Sequence, residues 1–274
     1  MLSRTSRRHV IITLVSLVLL LAFCVSSFAD LLMPEASGTK MREDGTLTVD
    51  CSHMDQGYVM VKGPKSKKRL KIRIKTSSVT LNYDLNTNGE YEVYPLQFGS
   101  GKYQIALYKN ASGNKYSEEG KVAINVDMDD ELSCFLYPNQ YVKYDENSVA
   151  VTQAAQICEG KTSDKEKYEV VCNYMKSNFA YDFIKSVTVS PGTMPDIEGT
   201  FQKRMGICQD LAAVMVCMLR SQGIPARLMI GTLGSSTYHA WVTAVVDGRD
   251  VFFDPTAELN ASPKDQQYTT ERYY

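Results

Sequence analysis

Three side chains in the second half of the chain are of the types that nucleophilic acyl chemistry requires: the thiol of Cys208, the imidazole of His239 and the carboxylate of Asp254. In such a site the thiolate attacks a carbonyl carbon and the imidazole passes a proton to the leaving group. The carboxylate holds the ring in its useful tautomer. The order Cys, His, Asp is therefore typical of a thiol-dependent acyl-transfer site, provided that the fold brings the three groups together.

Cys208 stands near the start of a strong helical pattern that runs from Met205 to Gly223. Apolar residues recur there at helical spacing, and Gly223 followed by Ile224 and Pro225 predicts the end of the helix. A thiol at a helix N-terminus meets unpaired backbone N–H groups and the positive end of the helix dipole, and both favour the thiolate. Gly206 predicts a tight turn into this helix. The alternative is a buried structural cysteine, because free cysteine packs as a small hydrophobe.

His239 lies in a predicted strand that ends at the dipeptide Asp247-Gly248, which is typical of a two-residue hairpin loop. With that loop, Trp241 faces Asp254 across the hairpin. His239 is then diagonal to Asp254 on the same face of the sheet, within reach of a side-chain contact. A loop of odd length would put the two on opposite faces.

Two alternatives to this arrangement stay open. In the first, His239 is a structural histidine; in the second, Asp254 only forms a turn ahead of Pro255. Asp210 is the rival third member, but side chains two residues apart on one helix do not face each other. We therefore choose Asp254.

Further groups are candidates for the rest of the site. The backbone N–H of Cys208 and the side chain of Gln202 are candidate oxyanion donors. We expect Tyr181, Tyr238 and Trp241 at the substrate groove. No Cys-x-x-Cys or His-x-x-x-His spacing occurs, so we predict neither a metal site nor a cofactor.

The elements that would position these groups fall into two regions. Residues 45–128 contain about seven short alternating runs separated by turn signals, which favour an immunoglobulin-like β-sandwich. Residues 131–274 contain helical patterns at 148–158 and 165–179, the central helix, and then strands. We predict an α+β chain with a linker at 30–44.

Basic residues cluster between Lys62 and Lys75. One interpretation is a site for an anionic cell-wall polymer. We favour a solvated loop that leads into an edge strand, because lysines commonly protect exposed edges.

The N-terminus predicts export. Arg4, Arg7 and Arg8 precede a short apolar run, and Ser27-Phe28-Ala29 resembles a cleavage site, so residues 1–29 are predicted to be a signal peptide, with an uncleaved membrane anchor as the alternative. Cleavage would leave 27 basic against 31 acidic residues, a balance that does not suggest nucleic acid. Six cysteines would remain, and their spacing forms no dense disulfide framework, so we expect mostly free, buried thiols.

Four segments of the second half form a set that is more specific together than any one of them alone. They are Gly206-Ile207-Cys208-Gln209-Asp210, the run from Met218 to Leu228, Tyr238-His239-Ala240-Trp241-Val242 and Asp254-Pro255-Thr256. Together they resemble the transglutaminase-like superfamily, most closely its secreted bacterial members. The resemblance covers roughly residues 131–274 and implies a papain-like core in which a central helix packs on an antiparallel sheet. It implies Cys208 as nucleophile, His239 as base and Asp254 as orienting group. The chain departs from the family at Leu211, where an aromatic residue is common, and at Phe252-Phe253, where a tryptophan is common.

The sequence therefore predicts a secreted or cell-surface cysteine peptidase, amidase or transglutaminase that acts on extracellular proteins or peptides. The alternative is a non-catalytic peptide- or cell-wall-binding module that keeps the same groove. We expect membrane contact only through the N-terminal segment. The residues do not decide between water and an amine as the final acceptor, which depends on how the groove excludes water.

Overall fold

The computed structural model describes residues 31–234, 236–260 and 266–274. The predicted signal peptide lies outside the described residues. Across the described ranges, no helix is long and apolar enough to cross a membrane.

The first half of the chain forms two four-stranded antiparallel sheets. One sheet has the order β1-β2-β3-β6 and the other has the order β5-β4-β7-β8. Short 3₁₀ helices at Met54–Gln56 and Ser133–Phe135 flank them. The strands are β1 (Met41–Asp44), β2 (Leu47–Asp50), β3 (Tyr58–Lys62), β4 (Leu70–Lys75), β5 (Thr80–Leu85), β6 (Glu92–Pro95), β7 (Gly101–Ser112) and β8 (Lys115–Val126).

Apolar and polar residues alternate along the strands, so that one face of each sheet is buried in a shared apolar core. β5 alternates strictly between exposed and buried residues, as a strand with one solvated face should. Val59 and Val61 of the first sheet and Ile72 and Ile105 of the second belong to the same buried cluster. The short alternating runs of the sequence therefore do form strands with an inward apolar face.

Two sequence-based expectations differ from the structure in this half. The predicted linker 30–44 is not wholly irregular, because Met41–Asp44 pairs with β2 as a strand. The basic strand β4 is not an edge strand, since it lies between β5 and β7. Its basic side chains lie on the solvated face, where Lys71 bonds Asp84 and Arg73 bonds Asn82.

Among its described residues, the second half contains six helices and a four-stranded antiparallel sheet of order β13-β12-β11-β14. A short parallel pair, β9 with β10, lies beside the central helix. The helices are α1 (Val149–Ile157), α2 (Asp164–Asn178), α3 (Phe183–Thr188), α4 (Ile197–Lys203), α5 (Cys208–Arg220) and α6 (Pro255–Leu259). The strands are β9 (Ala180–Tyr181), β10 (Met205–Gly206), β11 (Ala226–Leu233), β12 (Thr237–Val246), β13 (Arg249–Phe253) and β14 (Tyr268–Tyr273).

Helix α5 is the centre of this half. Every one of its residues except Gln209 is buried, which is expected for a helix that is apolar on nearly all sides. It packs on β11 and β12 and is covered by α1, α2 and α4. The predicted central helix and the capping box at Ser163 that starts α2 are both present.

Several elements of this half are absent from the sequence-based prediction. Helices α3 and α4 lie between the helix predicted at 165–179 and the central helix, and β14 adds a strand to the edge of the sheet beside β11. The pairing with β14 depends on Gly231, because a Cβ atom at that position would lie 1.9 Å from the carbonyl oxygen of Thr269. This close approach brings the C-terminal segment against the site described below.

Arg220 joins the C-terminal end of α5 to three other segments. Its guanidinium donates hydrogen bonds to the carbonyl oxygens of Ala226, Tyr137 and Tyr274. The side chain is buried, and burial lowers its pKa, because the charge is removed from water. One residue therefore connects the central helix, the segment that follows the two N-terminal sheets, and the end of β14.

Candidate active site

His239 and Asp254 form a direct, buried contact. The hairpin β12–β13 has Val246 opposite Arg249, so the Asp247-Gly248 loop prediction is confirmed. His239 Nε2 lies 2.7 Å from Asp254 Oδ2. The diagonal relation predicted from the loop length therefore brings the two side chains within a strong hydrogen bond.

Both carboxylate oxygens of Asp254 are occupied. Oδ1 accepts the backbone N–H groups of Thr256 and Ala257 and thereby caps α6, whereas Oδ2 accepts from His239 and from the hydroxyl of Tyr268. Burial alone would raise the pKa of Asp254, but these hydrogen bonds and the imidazole charge lower it. The turn-forming role and the histidine contact are therefore both present in one side chain.

The imidazole of His239 lies between Asp254 and the thiol of Cys208. Burial alone would lower the pKa of His239, but hydrogen bonds and charge interactions with Asp254 and Cys208 raise it to about 9. With Nε2 turned to Asp254, Nδ1 is the ring nitrogen left for the thiol. This order of contacts, thiol to ring to carboxylate, is the one that an activated cysteine requires.

Cys208 is the first residue of α5, as the sequence predicted. Gly206 has a different role from the one we expected, because it does not adopt a left-handed turn conformation. A Cβ atom at position 206 would lie 2.8 Å from side-chain atoms of Thr200 and Asp210. The glycine therefore allows α4 and the first turn of α5 to pack closely around the thiol.

Asp210 does not act as the third member of this set. Its carboxylate is fully buried, bonds the Lys185 ammonium at 2.6 Å and accepts the backbone N–H groups of Ile207 and Asp196. These contacts tie α3 and the segment before α4 to the first turn of α5. Asp210 therefore holds the surroundings of the thiol in place, as its position at a helix start indicated.

The three groove candidates lie in different environments. Tyr181 pairs with Gly206, two residues before the thiol, and burial raises its pKa, with a further contribution from Cys208. Burial also raises the pKa of Tyr238, although Arg272 opposes this shift. Tyr238 is 49% exposed and bonds Arg272, so it lies at the surface beside the site. Trp241 is buried against the rings of His239 and Tyr268, so it supports the imidazole from within the fold and does not line an open groove.

Gln202 lies on the exposed side of α4, whereas Ile197, Thr200 and Phe201 of that helix face the core. Its side chain has no hydrogen bond within the described residues. Although Gln202 lies six residues before Cys208 in the sequence, its side chain is therefore not a buried hydrogen-bond donor. The backbone N–H of Cys208 remains the candidate oxyanion donor at the helix start.

Tyr268 is the main residue that sequence reasoning missed. Its hydroxyl donates to Asp254 Oδ2 at 2.7 Å, and its ring packs against Trp241 and Phe252. Burial and the neighbouring carboxylate raise the pKa of this phenol, so it stays protonated as a donor. Its only sequence signal is its place in the aromatic tail 268–274, and its contact depends on β14 pairing with β11.

The six cysteines of the described chain are all free and buried, which confirms the expectation from their spacing. Burial raises the pKa of Cys134 to about 12 and that of Cys158 and Cys172 to about 11. It also raises the pKa of Cys51 and Cys217. Among the described residues, no group of three or more His, Cys, Asp or Glu side chains is arranged to hold a metal ion.

Raising the pH through about 9 should destabilise the wild-type chain more than a His239→Gln variant. The folded state raises the pKa of His239 from 6.5 to about 9, so its stabilisation is complete below 6.5 and is lost as pH rises through about 9. We expect the melting temperature to fall about 5 °C further in the wild type between pH 6 and pH 10. An equal fall in melting temperature between pH 6 and pH 10 in the two proteins would contradict the raised pKa of His239.

Comparison with known protein families gives one match, which covers part of the second half of the chain. Residues 151–255 match the family model described as the transglutaminase-like superfamily, which confirms the resemblance predicted from the sequence over that range. A search of the curated proteins gives no match to the chain.

The solved structures that the chain matches are distant from it in sequence. The "Putative Cysteine Protease" from Cytophaga hutchinsonii is 16% identical, with 79% of this chain and 91% of that chain covered and a TM-score of 0.39. The periplasmic domain of TgpA from Pseudomonas aeruginosa, bound to ethylmercury, is 16% identical, with 83% and 78% covered and a TM-score of 0.39. Red sea bream transglutaminase is 13% identical, with 72% and 47% covered and a TM-score of 0.29.

Proposed function

We propose that this chain, whose residues 151–255 form a transglutaminase-like domain, is a thiol-dependent acyl-transfer enzyme with Cys208 as nucleophile. The observation that carries the proposal is the 2.7 Å contact between His239 Nε2 and Asp254 Oδ2, together with the effect of Cys208, which like Asp254 raises the pKa of the same imidazole. A structural histidine needs no such pair of partners. A catalytic imidazole needs both.

The first half-reaction forms a thioester. Cys208 Sγ attacks the substrate carbonyl carbon, and the C=O electron pair moves onto oxygen, where the backbone N–H of Cys208 donates to the oxyanion. His239 holds the proton that left the thiol and gives it to the departing amine as the C–N bond breaks. Asp254 keeps the ring oriented and stabilises its positive charge, as the raised pKa of His239 indicates.

The second half-reaction returns the enzyme to its starting state. Water or an amine attacks the thioester carbon, His239 accepts the proton of the attacking group, and the C–S bond breaks to release the thiolate. Hydrolysis makes the chain a peptidase or amidase, and attack by an amine makes it a transglutaminase. Cys208, His239 and Asp254 are only 8%, 6% and 3% exposed, so substrate reaches them through a narrow opening.

The narrow opening also favours the second candidate function, a module that binds peptides or cell-wall polymers without turnover. A site that excluded all substrates would leave the thiol unable to acylate. The two candidate functions therefore differ in one measurable event, the formation of an acyl-enzyme.

The remaining parts of the proposal concern place and architecture. We propose that the chain is exported through residues 1–29 and acts outside the cytoplasm on proteins or peptides. We also propose that the two N-terminal sheets are an immunoglobulin-like sandwich, with residues 45–128 as one domain and 131–274 as the next. Binding of a wall polymer through Lys62–Lys75 is a weaker proposal, because Asp84 already pairs with two of its cations.

The enzyme proposal predicts a burst of p-nitrophenol when the chain meets p-nitrophenyl acetate, with close to one equivalent released per chain before slower turnover. Mass spectrometry should find one acetyl group on the peptide that contains Cys208. Adding cadaverine should accelerate the second phase if an amine is the better acceptor. The matched control is Cys217→Ser, which removes a thiol in the last turn of α5, far from its N-terminus, and should keep the burst.

Absence of both the burst and the acetyl group in the wild type would remove the enzyme proposal. The binding-module function would then take its place. A burst that survives Cys208→Ser would show that another group carries the acyl transfer.

A further inference from the structure

Tyr268 contacts the site but takes no part in either half-reaction. Its hydroxyl donates to Asp254 Oδ2 at 2.7 Å, and the same oxygen lies 2.7 Å from His239 Nε2. One carboxylate oxygen is therefore shared between the phenol and the imidazole. Through that oxygen, the phenol can act on the imidazole without touching it.

The carboxylate of Asp254 has all its hydrogen-bonding positions occupied. Oδ1 accepts the backbone N–H groups of Thr256 and Ala257, and Oδ2 accepts from His239 and Tyr268. An ionised carboxylate has about four lone-pair positions, two on each oxygen, so these four donors use them all. Asp254 is buried, and the donors around it therefore determine how its negative charge is distributed.

The neighbouring rings fix the orientation of the phenol. The ring of Tyr268 packs edge-to-face against Trp241 and Phe252, with centroids 5.1 and 4.8 Å away. Its backbone pairs with Leu233 of β11. The hydroxyl is therefore a positioned donor that points at Asp254 Oδ2.

A shared oxygen makes the phenol sensitive to the charge of the imidazole. When His239 is neutral, the negative charge of Asp254 is fully available to the hydroxyl of Tyr268, and their hydrogen bond is charge-assisted. When His239 is charged, the imidazolium draws on the same negative charge, so the bond from Tyr268 is weaker. The phenol therefore stabilises the neutral imidazole relative to the charged one.

The other titratable groups around the imidazole act differently. Cys208 of α5 raises the pKa of His239, as Asp254 does. Among the described residues, Tyr268 is the one side chain other than His239 that bonds the Asp254 carboxylate. Three pairs on the surrounding elements bond each other: Glu258 of α6 with Lys176 of α2, Tyr168 of α2 with the carbonyl oxygen of Phe252, and Tyr238 of β12 with Arg272 of β14.

We propose that Tyr268 is a positioning residue of the acyl-transfer reaction, which shares Asp254 Oδ2 with His239 and so reduces the negative charge that stabilises the imidazolium. The role rests on the proposed function, because His239 has to release its proton to the departing amine and later accept one from water. An imidazole that kept its proton too firmly would be a poor acid in the first step and a poor base in the second.

The first test follows the protonation of His239 by NMR of the imidazole nitrogens, in the full chain with isotope-labelled histidine, between pH 6 and pH 10. The signals of His239 are those that disappear in His239→Gln. Tyr268→Phe keeps the ring and removes the donor, so the pH at which His239 loses its proton should rise. Tyr268→3-fluorotyrosine is a stronger donor, because fluorine makes a phenol more acidic, so the same midpoint should fall.

The second half-reaction gives a separate readout. After the burst, His239 has to be neutral to accept the proton of water, so the slower release of p-nitrophenol depends on pH through this imidazole. At pH 7 Tyr268→Phe should slow this phase by about 3-fold, and Tyr268→3-fluorotyrosine should accelerate it. The rates should approach each other toward pH 10, where the imidazole becomes neutral in all three proteins. A merely structural role would lower the rate at every pH.

Tyr168→Phe is the matched control. It removes a phenol that bonds the carbonyl oxygen of Phe252, on the same hairpin as Asp254, but does not bond the Asp254 carboxylate. We expect the midpoint of His239 to stay at its wild-type value in this variant. Thermal melts establish that each variant is folded. Should Tyr268→Phe fail to fold, the fluorotyrosine variant still tests the direction of the shift.

Three results would overturn the role of Tyr268. The first is that folded Tyr268→Phe has the same His239 midpoint as the wild type. The second is that the midpoints of the two Tyr268 variants shift in the same direction, and the third is that Tyr168→Phe shifts the midpoint as far as Tyr268→Phe does. The NMR titration needs no turnover, so a missing p-nitrophenol burst would remove the proposed function and leave the titration to decide whether Tyr268 acts on His239. An unchanged midpoint together with a normal burst would remove only the role of Tyr268.

Discussion

Replacing His239 with alanine should slow the alkylation of Cys208 by iodoacetamide at pH 6 by about 100-fold. The raised pKa of His239, about 9, keeps the ring charged at pH 6, and this charge lies next to the thiol. Without this counter-charge the thiolate, which is the form that reacts, is less stable, so labelling slows by about 100-fold.

The other five cysteines provide an internal comparison in the same experiment. They are buried, and burial raises the pKa of each of them, so they should label far more slowly at pH 6. Mass spectrometry of the labelled peptides gives a rate for each site. Asp254→Asn is the graded control, because it keeps the ring in place but weakens its charge, and should slow labelling less than His239→Ala.

Two results would contradict the activation of the Cys208 thiol. The first is that Cys208 labels no faster than Cys51 or Cys158 at pH 6. The second is that Cys208 labels at the same rate in the wild type and in His239→Ala. Either result would mean that the contact between thiol and ring has no chemical consequence. The interpretation of Cys208 as a buried structural cysteine would then be preferred.

Replacing Arg220 with methionine should lower the free energy of unfolding by about 3–5 kcal/mol. Methionine fills a similar volume but leaves the carbonyl oxygens of Ala226, Tyr137 and Tyr274 without their donor. Each buried acceptor left without a partner costs about 1–3 kcal/mol. Urea unfolding followed by circular dichroism should show the loss, together with a fall in melting temperature of about 10 °C.

Matched variants separate the hydrogen bonds from the charge. Arg220→Lys keeps the charge but loses the planar set of donors. Its free energy of unfolding should therefore lie between those of the wild type and Arg220→Met. Arg69→Met removes an arginine whose side chain is 69% exposed and should change the unfolding free energy by less than about 0.5 kcal/mol. An Arg220→Met chain within about 1 kcal/mol of the wild type would contradict this role.

The sequence by itself determined the local part of the site. The apolar spacing after Met205 predicted α5, and the helix start placed Cys208 at its first residue. The Asp247-Gly248 loop fixed the register of β12 and β13, so that the His239–Asp254 contact could be derived by counting. These inferences succeeded because helix periodicity, turn type and strand register depend on residues that are close together in the chain.

The sequence was less informative where an element's neighbours decide its environment. β4 carries the basic pattern of an edge strand, but lies between β5 and β7. Gln202 has a suggestive spacing from Cys208, yet α4 turns it to solvent. Spacing along the chain does not specify which side of an element faces the core, since that depends on the packing of the whole sheet or helix layer.

Only the tertiary structure decided the contacts that complete the site and join it to the rest of the chain. Tyr268 reaches Asp254 because β14 pairs with β11 across Gly231. Asp210 bonds Lys185 on α3 and leaves the histidine to Asp254. Arg220 finds two of its three carbonyl acceptors in segments 54 and 83 residues away. Such long-range partners are selected by packing and by the need to satisfy buried polar groups, and neither of these is encoded in local spacing.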